Sequence, residues 1–413
     1  MLLIALGVTG GVLLCLALGQ AYWASSGIRV KQQLQRSSGS EAVGSRRLYS
    51  LAVIWVGCAA LVIGGEIFAI QSVWGRYFAP TPLHRVIAYV SDQNGSKDIW
   101  LMDEHDHTRA LTLQMANERL PRWSPDGQWI IFLSDQAGND DIFLMSSEGT
   151  FKQSLTQTPE SEDWISWSPD GNAILFTRGR LTDNQLCILS VDVIRQVVTG
   201  EQCIFTTDGK INKPSFSPDG TQIVFNLGHD GLFQLWIVNH DGTNPHALDS
   251  TTQSGIAAWS PDGKRIVYRR AADYNKPSDL QIISPNDGAP RHVRHFEASQ
   301  VQANWSPDSK KLYFTSDPSD PPLTDMGRLG VLNADGSHLI WLDDSENWVY
   351  WQAQSWQIET WDEYNRIVYS HKEAGQYDLY LVRSDGTGRT QLTNTPGNEF
   401  HASFRPTLPL KQR

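Results

Sequence analysis

Trp123-Ser-Pro-Asp-Gly-Gln-Trp-Ile-Ile-Phe132 contains a five-residue word, Trp-Ser-Pro-Asp-Gly, that comes back along the chain. It stands again at Trp167–Gly171 and Trp259–Gly263, as Phe216–Gly220, and as Trp305–Ser309, with weaker copies at Ser355-Trp356 and Phe404-Arg405-Pro406. Successive aromatic positions lie 44, 49, 43, 46, 51 and 48 residues apart. A fixed period of that length is the signature of four-stranded propeller blades. The word itself reads as a turn. Pro presets φ for the first central position, Asp suits the second, and Gly takes the left-handed conformation that closes a three-residue hairpin. Five near-identical Asp residues on one rim do not make a catalytic centre, because a reaction needs unlike groups converging on one point.

Each word is followed by an apolar run, such as Ile174-Leu-Phe176, Ile223-Val-Phe225, Ile266-Val-Tyr268, Leu312-Tyr-Phe314 and Ile367-Val-Tyr369, which reads as a second strand. Third strands follow at Asp98–Met102, Asp141–Met145, Gln234–Val238 and Asp378–Val382, then Asp-Gly turns such as Asp241-Gly242, Asp335-Gly336 and Asp385-Gly386. Short fourth strands are expected at Ala110–Thr112, Ser154–Thr156 and Gln391–Thr393. The segment Val86–Thr112 has no first strand of its own, and the C-terminal strand 399–405 reads as a first strand with nothing after it. Pairing the two closes the ring and removes two exposed edges. Six internal blades and this composite predict a seven-bladed, all-β propeller over 85–413, with six blades as the alternative.

Residues 1–84 have a different composition. Helices are expected at about 1–24 and 49–74, each long enough to cross roughly 30 Å of hydrocarbon. The 24 residues of the 25–48 loop hold Arg29, Lys31, Arg36, Arg46 and Arg47 against Glu41, and short basic loops stay cytoplasmic. The expectation is a transmembrane hairpin in the cell membrane with the propeller extracytoplasmic; cleavage of the first run as a signal peptide is the alternative. Gly7 with Gly11 and Ala60 with Gly64 would let the two helices approach closely. Glu66, near a helix end, can snorkel to the interface. Residues 1–84 carry six Lys or Arg against Glu41 and Glu66, which leaves the rest of this −11 chain at net −15. So acidic a surface repels phosphate backbones, and nucleic acid is not expected as a partner.

The word, the Ile-x-Phe strand and the Asp-Ile-Trp/Phe-Leu-Met strand together resemble the repeat of TolB-type (PD40, WD40-like) propellers, which also occurs in prolyl oligopeptidase-like peptidases. The resemblance covers nearly everything from Val86 to Pro406 and implies the fold. TolB itself has six blades, an additional α/β domain and a peptidoglycan-bound lipoprotein partner; the hairpin and the seventh blade set this chain apart, so that partner is not carried across. The peptidases need a hydrolase domain with a Gly-x-Ser-x-Gly elbow, and neither is found between Met1 and Arg413.

Several groups stand out as candidate sites. The starts of the innermost strands bring Glu118, Arg119, Glu162, Asp163, Lys213, Gln302, Asn304, Glu399 and His401 toward one channel mouth. Convergent polar groups around a cavity mark a ligand site, with Arg119, Asp163, Lys213, Gln302 and His401 foremost; water filling the channel is the alternative. Trp348, Trp351, Trp356 and Trp361 could form an aromatic surface for sugar rings or a protein, or could fill gaps between irregular blades. Cys187 and Cys203 fall on antiparallel neighbours, where they could form a disulfide or remain buried thiols. His105 and His107 sit on an acidic turn that reads as a solvated hairpin tip, so no metal and no cofactor are expected. The expected function is a membrane-tethered, non-enzymatic scaffold that binds an envelope or surface protein, with a carbohydrate-binding module as alternative.

Overall fold

The computed structural model describes residues 86–179, 183–250, 253–272, 277–286, 288–297, 301–316, 326–342, 349–350, 361–362, 364–373 and 375–406. The expected hairpin lies outside these residues, and among them no helix is long and apolar enough to cross a membrane.

Blade 1 begins with β1 (Ile87–Ser91), β2 (Asp98–Met102) and β3 (Thr108–Ala110). Blade 2 holds β4 (Glu118–Trp123), β5 (Trp129–Ser134), β6 (Asp141–Ser146) and β7 (Lys152–Ser154), and blade 3 holds β8 (Glu162–Trp167), β9 (Ala173–Arg178), β10 (Asn184–Asp192) and β11 (Val197–Thr207). Blade 4 holds β12 (Lys210–Phe216), β13 (Gln222–His229), β14 (Leu232–Asn239) and β15 (His246–Asp249); blade 5 holds β16 (Gln253–Trp259), β17 (Ile266–Ala271), β18 (Ser278–Ile283) and β19 (Arg291–Phe296). Blade 6 is β20 (Val301–Trp305), β21 (Lys311–Ser316), β22 (Met326–Asn333) and β23 (Ile340–Trp341). Blade 7 is β24 (Val349–Tyr350), β25 (Arg366–Glu373), β26 (Gln376–Arg383) and β27 (Thr390–Gln391). The last strand, β28 (Glu399–Phe404), pairs antiparallel with β1, Ile87 opposite Phe404 and Ser91 opposite Glu399, so the C-terminal segment supplies the innermost strand of blade 1. The propeller is seven-bladed, and the six-bladed alternative is excluded.

Blades 6 and 7 share one sheet. The start of β22 pairs with β24 while its later residues pair with β23. The fourth strands of blades 1, 2 and 7 end earlier than the sequence suggests, at Ala110, Ser154 and Gln391. The Leu-Thr pairs that follow depart from the regular ladder: the Leu N–H still donates to the third strand, and the Thr hydroxyl takes the place of a carbonyl in accepting a third-strand N–H, as from Ile99 to Thr112 at 2.8 Å.

The hydrophobic core of the described residues falls into seven clusters, each filling one junction between neighbouring blades. Along β5, Ile130 and Phe132 face blade 1 while Ile131 and Leu133 face blade 3. Both faces of an inner strand are therefore buried, which is why these strands read as continuous apolar runs and not as a clean alternation. Burying one such side chain contributes about 1.5–3 kcal/mol, so the ring is held mainly by these junctions.

Candidate functional site at the turn end of the channel

The innermost strands of successive blades touch one another, β28 with β4, β4 with β8, and so on to β20. Their C-terminal ends carry the repeated turns. In each full copy the Ser hydroxyl donates to the Asp carboxylate, at 2.5 Å for Ser124–Asp126 and Ser168–Asp170 and 2.6 Å for Ser217–Asp219, Ser260–Asp262 and Ser306–Asp308. The same Ser oxygen accepts the N–H five residues on, as from Trp129 at 2.9 Å. With Ser124 N–H donating to the Trp129 carbonyl, the loop encloses four residues, Pro125 to Gln128, and not the three expected from the word. The extra residue is accommodated because the Asp126 carboxylate takes the Gln128 N–H. Gly127 sits at φ 65°, and Ser309 takes the equivalent place at φ 59°. The Ser168 hydroxyl holds the Asp170 carboxyl below its ordinary range.

In three copies the Trp of the word ties its turn to the preceding blade. Trp123 Nε1 donates to the Ser403 carbonyl at 3.3 Å, Trp167 Nε1 to Arg122 at 3.1 Å, and Trp305 Nε1 to Ala258 at 3.1 Å. Three residues before it comes a β-bulge, with Leu120, Trp164, Lys213 and His401 at φ between 51° and 56°. Bulges re-aim side chains near functional sites. Here three of the bulged residues, Leu120, Trp164 and Lys213, line a cavity of about 480 Å³ at the turn end of the channel.

The wall of this cavity is largely apolar: Trp123, Trp167, Trp259, Leu120, Ile165 and a row of turn prolines. Its charged residues among those described are Arg122 and Lys213, with no Asp, Glu or His in the lining. The Lys213 amine lies 5.4 Å from the centre of the Trp164 ring, and burial lowers its pKa well below the ordinary lysine value. Ser166 Oγ, Trp259 Nε1 and Asn304 Nδ2 are buried in the wall without a hydrogen-bond partner among the described residues. The Asn304 amide is oriented by its carbonyl, which accepts the Trp305 N–H at 2.8 Å. Arg122, Ser166, Ser215, Ala258 and Asn304 all occupy one repeat position, immediately before the aromatic residue of the word. That position carries the site and was not singled out from the sequence apart from Asn304; comparing it across copies would have exposed a ring of polar side chains among residues otherwise apolar.

The other candidates go elsewhere. Arg119 and Asp163 do meet, at 3.2 Å, but Asp140 joins them at 2.6 Å, forming a bridge between blades 2 and 3 at the strand-start end. Glu118, Glu162 and Glu399 are fully buried and do not belong to a channel mouth. They accept hydrogen bonds from Thr112, Thr156 and Thr393, the Thr residues that left the fourth strands of the preceding blades. Glu162 also holds Arg178 at 2.9 Å. Without such a cation, burial pushes Glu118 and Glu399 up to about 7. Gln302 is buried, its Oε1 without a partner among the described residues. His401 is also buried, with both ring nitrogens unpartnered among the described residues; burial, then the nearby cations Arg122, Lys97 and Arg119, lower its pKa to about 3, so it is neutral. Neither Gln302 nor His401 lines the cavity.

Trp348, Trp351 and Trp356 lie outside the described residues. Trp361 is buried against Tyr313, 5.6 Å between ring centres, so it fills the junction of blades 6 and 7 and is not part of an aromatic surface. Cys187 and Cys203 stand opposite each other on β10 and β11 with sulfurs 2.00 Å apart, a disulfide. Asp103, His105 and His107 have ligand atoms within 4.8 Å of one another on an exposed turn. The Asp103 carboxylate there accepts the N–H groups of His105 and His107.

Residues 64–254 match the TolB beta propeller domain family. That stretch of the propeller is similar to TolB-type domains. TolB of Acinetobacter baumannii has this fold, with TM-score 0.50 at 14% identity over 83% of this chain and 72% of that one. The propeller also resembles in fold, at TM-score 0.57 and 12% identity, a puromycin-hydrolyzing peptidase from Mycobacterium tuberculosis, over 76% of this chain and 54% of that one. Among curated relatives, an uncharacterized protein, Atu1656 of Agrobacterium fabrum, is 29% identical over 46% of this chain and 67% of its own length. Dipeptidyl-peptidase 5 of Porphyromonas endodontalis is 29% identical over 27% of this chain and 17% of its own length. The uncharacterized peptidase YuxL of Bacillus subtilis is 29% identical over 54% of this chain and 34% of its own length. The chain thus spans 17% and 34% of the length of these two peptidases. Their names nevertheless correct the expectation of a non-enzymatic protein: the propeller's sequence is shared, distantly and in part, with proteins named as peptidases.

Proposed function

We propose that this chain is a polypeptide-recognition propeller of peptidase-related type, with the turn-end cavity as its recognition site. One observation carries the reading: a cavity of about 480 Å³ with aromatic and proline walls and several hydrogen-bond donors in them. Apolar pockets of roughly 300–1,000 Å³ with a few convergent polar groups are where small ligands and peptide segments bind. The peptidase names of the relatives favour a role in which the propeller holds or admits polypeptide for cleavage. Equilibrium dialysis of the purified full-length protein against a casein digest tests the site. Saturable retention of peptides by the native protein, lost in Ser215→Trp, which fills the cavity, is expected; equal retention by both proteins would refute the assignment.

The proposal includes a membrane tether and an envelope or surface protein as the polypeptide that is met. The near-absence of charge in 1–24 and 49–74, with the basic 25–48 loop between them, supports it. Alkaline carbonate extraction of cells expressing the chain should leave it in the membrane pellet, and release into the supernatant would remove the tether from the proposal.

A further inference from the structure

We propose that the turn-end cavity is selective for a carboxylate carried by the peptide. The inference rests on the recognition reading above and names the chemistry of its ligand. Beyond residue 84 the chain is acidic, at net −15, yet the described lining of the cavity carries no acid; it holds the Arg122 guanidinium and the Lys213 amine, which burial inclines to lose its proton and which an incoming carboxylate would hold protonated. In an acidic protein, a chance pocket would gather carboxylates, and one that gathers cations concentrates anions. The polar atoms in the wall have the same sense. Trp259 Nε1 and Asn304 Nδ2 can only donate, and the Ser166 hydroxyl rotates to donate. Lone buried donors cost about 1–3 kcal/mol each when nothing accepts from them. A carboxylate is acceptor-only, with about four lone-pair positions, and takes charge-assisted bonds from several donors at once. A neutral amide in the same place brings two donors of its own and one acceptor oxygen, so it meets like groups in the wall.

The experiment uses full-length protein in mild detergent and three pools of N-acetylated tetrapeptides, with retained peptides read by mass spectrometry after dialysis. The first pool lacks Asp and Glu and ends in a free carboxylate, the second is the same pool as C-terminal amides, and the third is amidated but carries one Asp or Glu. Retention of the first pool about tenfold or more above the second is expected from charge-assisted bonding. Comparable retention of the third pool would assign the carboxylate to a side chain, and its absence to the chain terminus; either supports selectivity for the group. Lys213→Met should abolish the difference between acids and amides. Asn304→Asp keeps the carbonyl that receives the Trp305 N–H but replaces the donor with a carboxylate oxygen, so it should bring acids below amides in a protein that still folds. Equal retention of acids and amides overturns the carboxylate inference and leaves peptide recognition standing. Retention of no pool overturns both.

Discussion

The two ends of the channel are built from the same inner strands and finish differently. At the turn end, the strand closes on Trp, Ser, Pro and Asp, whose polar atoms are mostly satisfied within the turn or by the neighbouring blade, and a donor-rich cavity is left between the blades. At the strand-start end, Arg119 bridges Asp140 and Asp163, and Glu118, Glu162 and Glu399 are clamped by Thr hydroxyls from the preceding blade. Charge at one end is consumed in holding blades together; at the other, Arg122 and Lys213 line a cavity. A repeat can therefore keep one backbone and divide two tasks between its ends, because the strand crosses the channel wall once and only its termini meet different neighbours.

The largest expected effect tests whether the turn end bears the ring. Trp123 is buried and ties blade 2 to the closing strand through Ser403, so Trp123→Ala should cost about 3–5 kcal/mol in chemical denaturation. A loss under 1 kcal/mol would mean that the aromatic wedge is not what joins the blades.

The strand-start end should respond to pH. Thr112 Oγ1 lies 3.3 Å from Asp98 and 3.1 Å from Glu118, but its single hydrogen can serve only one of them, and an extra proton on the carboxyl pair supplies the other bond. Glu118 rises from an ordinary value of 4.5 to about 7 through burial. The folded state therefore holds its proton more tightly than the unfolded chain. The stabilisation is complete below about 4.5 and is lost as pH rises through about 7. Glu118 makes the protein roughly 2.5 kcal/mol less stable at pH 8 than at pH 5, and Glu399 acts in the same direction. Glu118→Gln should flatten that slope and raise the melting temperature at pH 8; an unchanged slope would show that this carboxyl is ionised in the fold.

Arg119→Met should cost about 1–2 kcal/mol, since its ion pairs are only partly buried and solvent screens them. It should leave peptide retention at the turn end unchanged, and a change there would join the two ends that are separated above. The smallest contrast lies within the turn end. Trp305 donates to Ala258, whereas Trp259 Nε1 has no partner among the described residues. Trp305→Phe should cost about 1 kcal/mol more than Trp259→Phe, and equal costs would show that these indole bonds contribute nothing measurable.

Much of the fold is legible in the residues. The word spacing, the Ile-x-Phe runs and the unpaired segments at Val86 and Phe400 lead to seven blades and their closure, because turn chemistry and strand pattern are local and repeat. The Cys187–Cys203 pairing is legible for the same reason, as it needs only two adjacent strands. The candidate site was harder to see. Lys213 and Asn304 were singled out for a channel and do line the cavity, while Arg119 and Asp163 were chosen on the same grounds and proved to be an inter-blade bridge. No pattern distinguishes a channel Lys from a bridging Arg when Asp140, the residue that captures Arg119, lies on a different strand.

The sequence alone determines the unit: a four-stranded blade, its turn, its number and its closing strand, because each depends on neighbours within a few residues or on a simple count. The tertiary structure decides what each polar group is for. Trp123 meets Ser403 and Ser91 meets Glu399 from opposite ends of the chain, and the bulge at Lys213 has meaning only beside Trp164 of another blade. Hydrogen bonding and charge are satisfied between partners in space, and in a closed ring those partners are fixed only when the last strand returns to the first.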